Sequence, residues 1–193
     1  KEKKIPKVPM IMDSPMGANV LELFHKTRDW HRLEDNECDD MCSHFTVVSS
    51  YRETMELRTD NKPKIVIAGS GMLTGGRMLN YLETQAQNPN NTLLFVGYQA
   101  EGTRGRKLLE GDKELKVYGK WVPFKMQVAE IEGLSAHADH TELMDWINKI
   151  KNKPERVFIV HGEKEGAEAL QKGIKETYGW DSDIPELYSI ENV

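Results

Sequence analysis

The 193 residues carry 26 Lys and Arg against 31 Asp and Glu, a formal net charge of −5, with 38% hydrophobic residues. That is enough chain for one sizeable domain or two small lobes, and it leaves any polyanion binding to a local basic patch. No apolar run approaches the roughly 18 residues of a membrane span, no secretory leader is visible, and two cysteines cannot frame a disulfide-stapled fold, so no membrane partner and a cytoplasmic setting are expected.

The opening Lys1-Glu2-Lys3-Lys4 lacks an initiator Met and reads as the middle of a longer chain. Val8 to Met12 is a short apolar run that predicts a buried strand. Ser14 and Pro15 then supply an N-cap and a first-turn proline for a helix with Val20, Leu21 and Phe24 at helical spacing. His25 is expected on that helix's surface. Cys38 and Cys42 fall one helical turn apart among acidic residues, which predicts a solvent-facing helix. With His31 and His44 they invite a structural metal, but the spacing misses the usual zinc patterns and none is assigned. Phe45 to Val48 predicts a second strand, a helical stretch carries Met55 and Leu57, and Lys64 to Ala68 predicts a third strand. A helix then begins near Gly75-Gly76, with Met78, Leu79 and Leu82 on one face, and Thr92 to Val96 predicts a fourth strand. Strands alternating with helices imply a mostly parallel sheet flanked by helices.

After Gly111 the pattern changes, and the boundary is expected there: residues 1–111 as one lobe, residues 112–193 as a smaller α/β segment. Leu115 to Tyr118 and Trp121 to Ile131 read as strands, with a hairpin turning near Gly119. A helix over about Thr141 to Lys151, a strand over Val157 to Val160, a helix from about Glu165 to Tyr178 stopped by Gly179, and a last strand over Leu187 to Ile190 complete the reading.

Three turns and two histidines carry chemistry. Gly69, Ser70, Gly71, Gly75, Gly76 and Arg77 lie between a strand's carboxyl end and a helix, where glycines admit a ligand to the backbone and helix-start N–H groups favour anions. A tight turn without ligand explains the glycines equally well. Gly97 to Lys107 follows the next strand and is the densest basic, glycine-bearing stretch; Gln99 and Arg104 are its candidate phosphate contacts, against a solvated charged turn. Ser135-Ala136-His137-Ala138-Asp139-His140 precedes a helix. Asp139 and Glu142 form a capping box, so Asp139 is not taken as a ligand. His137 is free to act as an acid or phosphate contact, and His140 is expected at the surface. His161 ends the Val157–Val160 run, before Gly162, where an imidazole can serve a metal.

Together these motifs resemble the β-CASP group of metallo-β-lactamase-fold RNA-processing nucleases. Asp13-Ser14-Pro15-Met16 is similar to the opening of the inserted β-CASP domain, Gly69 to Arg77 to its glycine loop, and Gly97 to Gly105 to its return towards the lactamase core. Ser135 to Asp139 resembles the motif whose histidine acts on the phosphate or leaving group, and Val160-His161-Gly162-Glu163 the motif whose histidine ligates zinc. The resemblance implies His137 as catalytic and His161 as a metal ligand. It further implies Gly69, Ser70, Gly71, Gly75, Gly76, Arg77, Gln99, Arg104 and Ser135 as substrate-binding, single-stranded RNA as partner, and residues 112–193 as part of a metallo-β-lactamase fold. The family's His-x-His-x-Asp-His cluster does not occur here. The implied parent holds two zinc ions and includes an N-terminal lactamase-fold half. This chain alone is expected to be inactive, to hold no zinc tightly, and to expose apolar surface that favours a homodimer. A non-catalytic RNA-binding scaffold subunit is the alternative, and a small-molecule metallohydrolase a more remote one.

Overall fold

The computed structural model describes residues 6–131 and 133–191; the opening Lys1 to Lys4 lies outside them. The chain forms two compact units, one ending at Leu134 and the other beginning at Ser135.

The first unit opens with a parallel sheet of order β2-β1-β3, made of β1 (Met10–Asp13), β2 (Phe45–Val47) and β3 (Ile65–Ala68). β1 is central, and Ile11, Met12 and Asp13 are all buried, as the apolar run requires. Parallel neighbours need crossovers, and helices supply them. α1 (Pro15–Lys26) starts where Ser14 Oγ accepts the Gly17 N–H at 3.1 Å. α2 (Asp35–Ser43) starts on a Glu34/Glu37 capping box, and α3 (Tyr51–Leu57) on Ser50. Contrary to the solvent-facing reading, Cys38 is fully buried. The acidic residues cover only one side of α2, while Cys38, Met41 and Cys42 form the face turned inward.

Beyond α4 (Met78–Gln85), β4 (Thr92–Phe95) leads to α5 (Arg104–Leu109). β5 (Glu114–Val117) and β6 (Lys120–Pro123) form the expected antiparallel hairpin. It turns at Tyr118 and Gly119, both at positive φ (47° and 81°), the pairing a two-residue hairpin loop demands. β7 (Gln127–Glu130) returns to pair in parallel with β4. One core joins Leu79 and Leu82 of α4, Phe95 of β4, Leu108 of α5, and Leu115, Val117, Val122 and Phe124 of the hairpin region. Residues 112–131 therefore pack with the first unit, although the sequence pattern changes at Gly111.

The second unit pairs α6 (His140–Ile147) with α7 (Lys164–Tyr178) around Ile147, Ile159, Ala167 and Ile174. The Asp139/Glu142 capping box starts α6, and Gly179 at φ 67° ends α7. The strand expected over Val157–Val160 is reduced to a single bridge, Phe158 to Asp183, flanked by Ile159 N–H to Asp183 O at 2.9 Å and Asp183 N–H to Val157 O at 2.9 Å. Leu187–Ile190 forms no strand, and its apolar side chains are exposed. No helix among the described residues is long and apolar enough to cross a membrane.

Candidate phosphate loop and paired histidines

The glycine loop between β3 and α4 is held by its own backbone. Met78 N–H reaches Gly69 O at 2.7 Å, Leu73 N–H reaches Ser70 O at 3.3 Å, and Thr74 N–H reaches Ser70 Oγ at 3.2 Å. Gly76 has φ +73°, and a Cβ there would stand 2.5 Å from the Gly69 carbonyl oxygen, so only glycine closes this loop. A Cβ on Gly71 or Gly75 would meet nothing within 4 Å, so those glycines leave an open approach to the backbone.

The polar side chains expected to contact substrate here also hold the loops together. Arg77 forms an ion pair with Asp13, which is 0% exposed. The same carboxylate accepts Thr54 Oγ1–H at 3.1 Å and Tyr81 O–H at 2.6 Å. Asp13 thus ties the end of β1 to α3 and α4. Burial, then the bond to Asp13, pushes the Tyr81 phenol well above its ordinary range. The second basic loop pins the first. Gln99 Nε2–H donates to Gly71 O at 3.1 Å, Gly105 N–H to Met72 O at 3.2 Å, and Arg104 Nη1–H to Leu73 O at 2.8 Å. Three consecutive carbonyls of one loop are thereby taken by the other. Arg104 Nε–H also donates to Lys116 O at 2.7 Å. Sequence spacing does not reveal this lattice, because it joins loops about thirty residues apart.

In the second unit Ser135, His137 and His161 are all exposed. Ser135 Oγ accepts the His137 backbone N–H at 3.2 Å and lies 3.0 Å from His137 Nδ1. This contact holds the ring by its Nδ1 edge, three residues before α6. His161 precedes α7 by a similar short step, at φ 66°, a conformation an L-residue adopts at a cost of roughly 1–3 kcal/mol. Its neighbour Ile159 is anchored in the core, and Ala167 of α7 packs against Gly162. The two imidazoles therefore stand ahead of two helices that pack on each other. A single imidazole nitrogen at His161 fits one position of a zinc site and falls short of the three or more protein ligands such sites use.

Comparison with known families decides the relationship. Residues 1–108 match the Beta-Casp domain, and residues 121–185 match the Zn-dependent metallo-hydrolase RNA specificity domain. The chain belongs to the β-CASP family. Among curated relatives, transcription termination factor FttA of Pyrococcus horikoshii is 38% identical over 146 residues, covering 73% of this β-CASP chain and 22% of its own length. Ribonuclease TTHA0252 of Thermus thermophilus is 34% identical over 181 residues, covering 88% of this chain and 40% of its own. FttA of Methanocaldococcus jannaschii is 41% identical over 125 residues, covering 62% and 20%. This β-CASP chain thus spans about a fifth to two fifths of the relatives it matches.

Proposed function

We propose that this β-CASP chain supplies the RNA-holding loops and two active histidines of a zinc-dependent ribonuclease whose remaining metal ligands lie elsewhere in a longer parent. The carrying observation is the pair of exposed imidazoles, each stationed just ahead of one of two packed helices, within the segment matching an RNA specificity domain. In the parent His161 would hold one of two zinc ions, and the metal would supply charge neutralisation and an activated nucleophile. His137, oriented by Ser135, directs its Nε2 edge at the scissile phosphate or at the departing oxygen. The loop Gly69, Ser70, Gly71, Gly75 and Gly76 receives the flanking phosphates where its backbone is open, at Gly71 and Gly75, while Arg77, Gln99 and Arg104 hold that loop in shape. Contacts to backbone phosphates position RNA with weak sequence preference. The change of sequence pattern near Gly111 is read as the point where the β-CASP insert gives way to the lactamase-fold return, although residues 112–131 pack with the first unit.

Filter binding of single-stranded RNA by this chain tests the substrate class. Affinity is expected to fall at least about tenfold between roughly 50 and 200 mM salt. Undetectable binding at low salt would remove RNA as the substrate. The chain by itself is expected to leave RNA uncut, and turnover by it would contradict the division of ligands.

A further inference from the structure

A second group of metal-type ligands lies in the first unit, on residues the nuclease reading does not use. His25 near the end of α1 and Cys38 and Cys42 of α2 each offer a ligand atom, and the three atoms lie within 4.8 Å of one another. Cys38 and Cys42 reach this point because residues four apart on a helix share a face. His25 reaches it because α1 packs on α2. A tetrahedral zinc with bonds of about 2.0–2.3 Å places its ligand atoms roughly 3.5–3.8 Å apart. The three groups are thus about an ångström or less from bonding distance.

The neighbouring groups are of kinds that can support a metal site. His31 stacks on Phe24 with ring centroids 4.0 Å apart. Its Nδ1 accepts the Leu33 N–H at 3.3 Å, which leaves the proton on Nε2. That Nε2–H lies 3.1 Å from Phe24 O and 3.9 Å from Cys38 Sγ, so it can donate to a thiolate without being a ligand itself. On the other side Asp39 Oδ1 stands 3.4 Å from His25 Nδ1, close enough to orient the ring as carboxylates orient ligating histidines. Arg28 also touches the His25 ring, at 3.3 Å from Nε2, and must withdraw when an ion enters. It already pairs with Asp35 at 3.1 Å and with Asp39 at 2.6 Å, so it has carboxylates to hold it away from the ring. A groove of about 390 Å³, lined by Asn19, Glu22, His25 and Cys42 among others, gives an ion a route in from solvent.

We propose that His25, Cys38 and Cys42 bind one zinc ion, with a solvent molecule in the fourth position, clamping α1 to α2. Binding one Zn²⁺ releases two thiol protons to solvent and leaves two thiolates and a neutral imidazole on the metal. The site departs from the sequence-based expectation that this chain holds no zinc tightly, and from the absence of an assigned metal among His31, Cys38, Cys42 and His44. His44 plays no part, since its ring is bonded to Asp40 O.

The test uses the whole chain, stripped of metal and kept reduced with a non-chelating phosphine. Zn²⁺ is titrated by calorimetry, and Co²⁺ is added separately to read thiolate-to-cobalt absorption. One equivalent of zinc and a thiolate band are expected. His25→Ala and Cys42→Ser, both at positions with solvent access, should each weaken zinc at least tenfold and diminish the cobalt band while the circular dichroism stays native. His161→Ala should change neither. No stoichiometric zinc, unchanged affinity in folded His25→Ala and Cys42→Ser, or loss of the zinc in His161→Ala would each overturn the assignment. Because His161→Ala is the control, failure of this site and failure of the nuclease reading are distinguishable.

Discussion

Gly71 and Gly76 sit in one loop but should respond differently to a methyl group. Gly76→Ala places a Cβ against the Gly69 carbonyl at a positive φ, and should cost more than about 1 kcal/mol in urea unfolding. Gly71→Ala meets nothing within 4 Å, so stability should hold within about 1 kcal/mol while RNA affinity drops as the methyl blocks the backbone. Equal RNA affinity for wild type and Gly71→Ala would exclude that peptide from the phosphate contact. Asp13 is the other informative residue. It is fully buried and receives Arg77, Thr54 and Tyr81. Asp13→Asn removes the charge opposite a partly buried guanidinium and should destabilise by about 3 kcal/mol or more, read from the same urea transitions. Tyr81 adds a pH dependence. Its folded pKa is raised, so the native state favours the protonated phenol. That stability is fully present below the unfolded value of about 10 and drains away as pH rises past it. Thermal melts of Tyr81→Phe should lose less on going above about pH 10 than those of the wild type. Identical alkaline profiles would show that the phenol's burial is not felt.

At the scale of elements, local signals were readable and tertiary ones were not. Ser14 before Pro15, the Asp139/Glu142 box and Gly179 after Tyr178 each mark a helix end through bonds within a few residues, and each forms as expected. Asp139→Ala should therefore cost about 1 kcal/mol of stability and leave RNA affinity unchanged. A loss of binding out of proportion to that cost would make Asp139 more than a cap. β1, β3 and β4 were legible because apolar runs between turn residues are what buried strands look like. Val157–Val160 has the same composition but pairs only at Phe158, because a strand needs a neighbour and composition does not provide one. Cys38 was misjudged for a related reason: Asp39 and Asp40 describe one side of α2, while burial of the other depends on α1. The roles of Gln99 and Arg104 were hidden too. A basic, glycine-bearing turn looks alike whether its side chains grip a phosphate or three carbonyls of a neighbouring loop.

For the molecule as a whole, the exposed apolar residues of the second unit matter most. Trp146 is 71% exposed, Leu187 83% and Ile190 91%, and large exposed apolar side chains favour association where they form a patch. We propose that in the parent the lactamase-fold half covers these side chains. Alone, the chain should associate with itself, with a weight-average mass that rises with concentration in light scattering; a strict monomer at all concentrations would argue that this surface is tolerated in water. The histidine pair is tested most directly in the parent enzyme, by measuring zinc content and RNA hydrolysis together for His137→Ala and His161→Ala. The expected result is a split: His137→Ala keeps its zinc and loses turnover, whereas His161→Ala loses both. Full ribonuclease activity in both variants would contradict the assignment of either imidazole to the reaction.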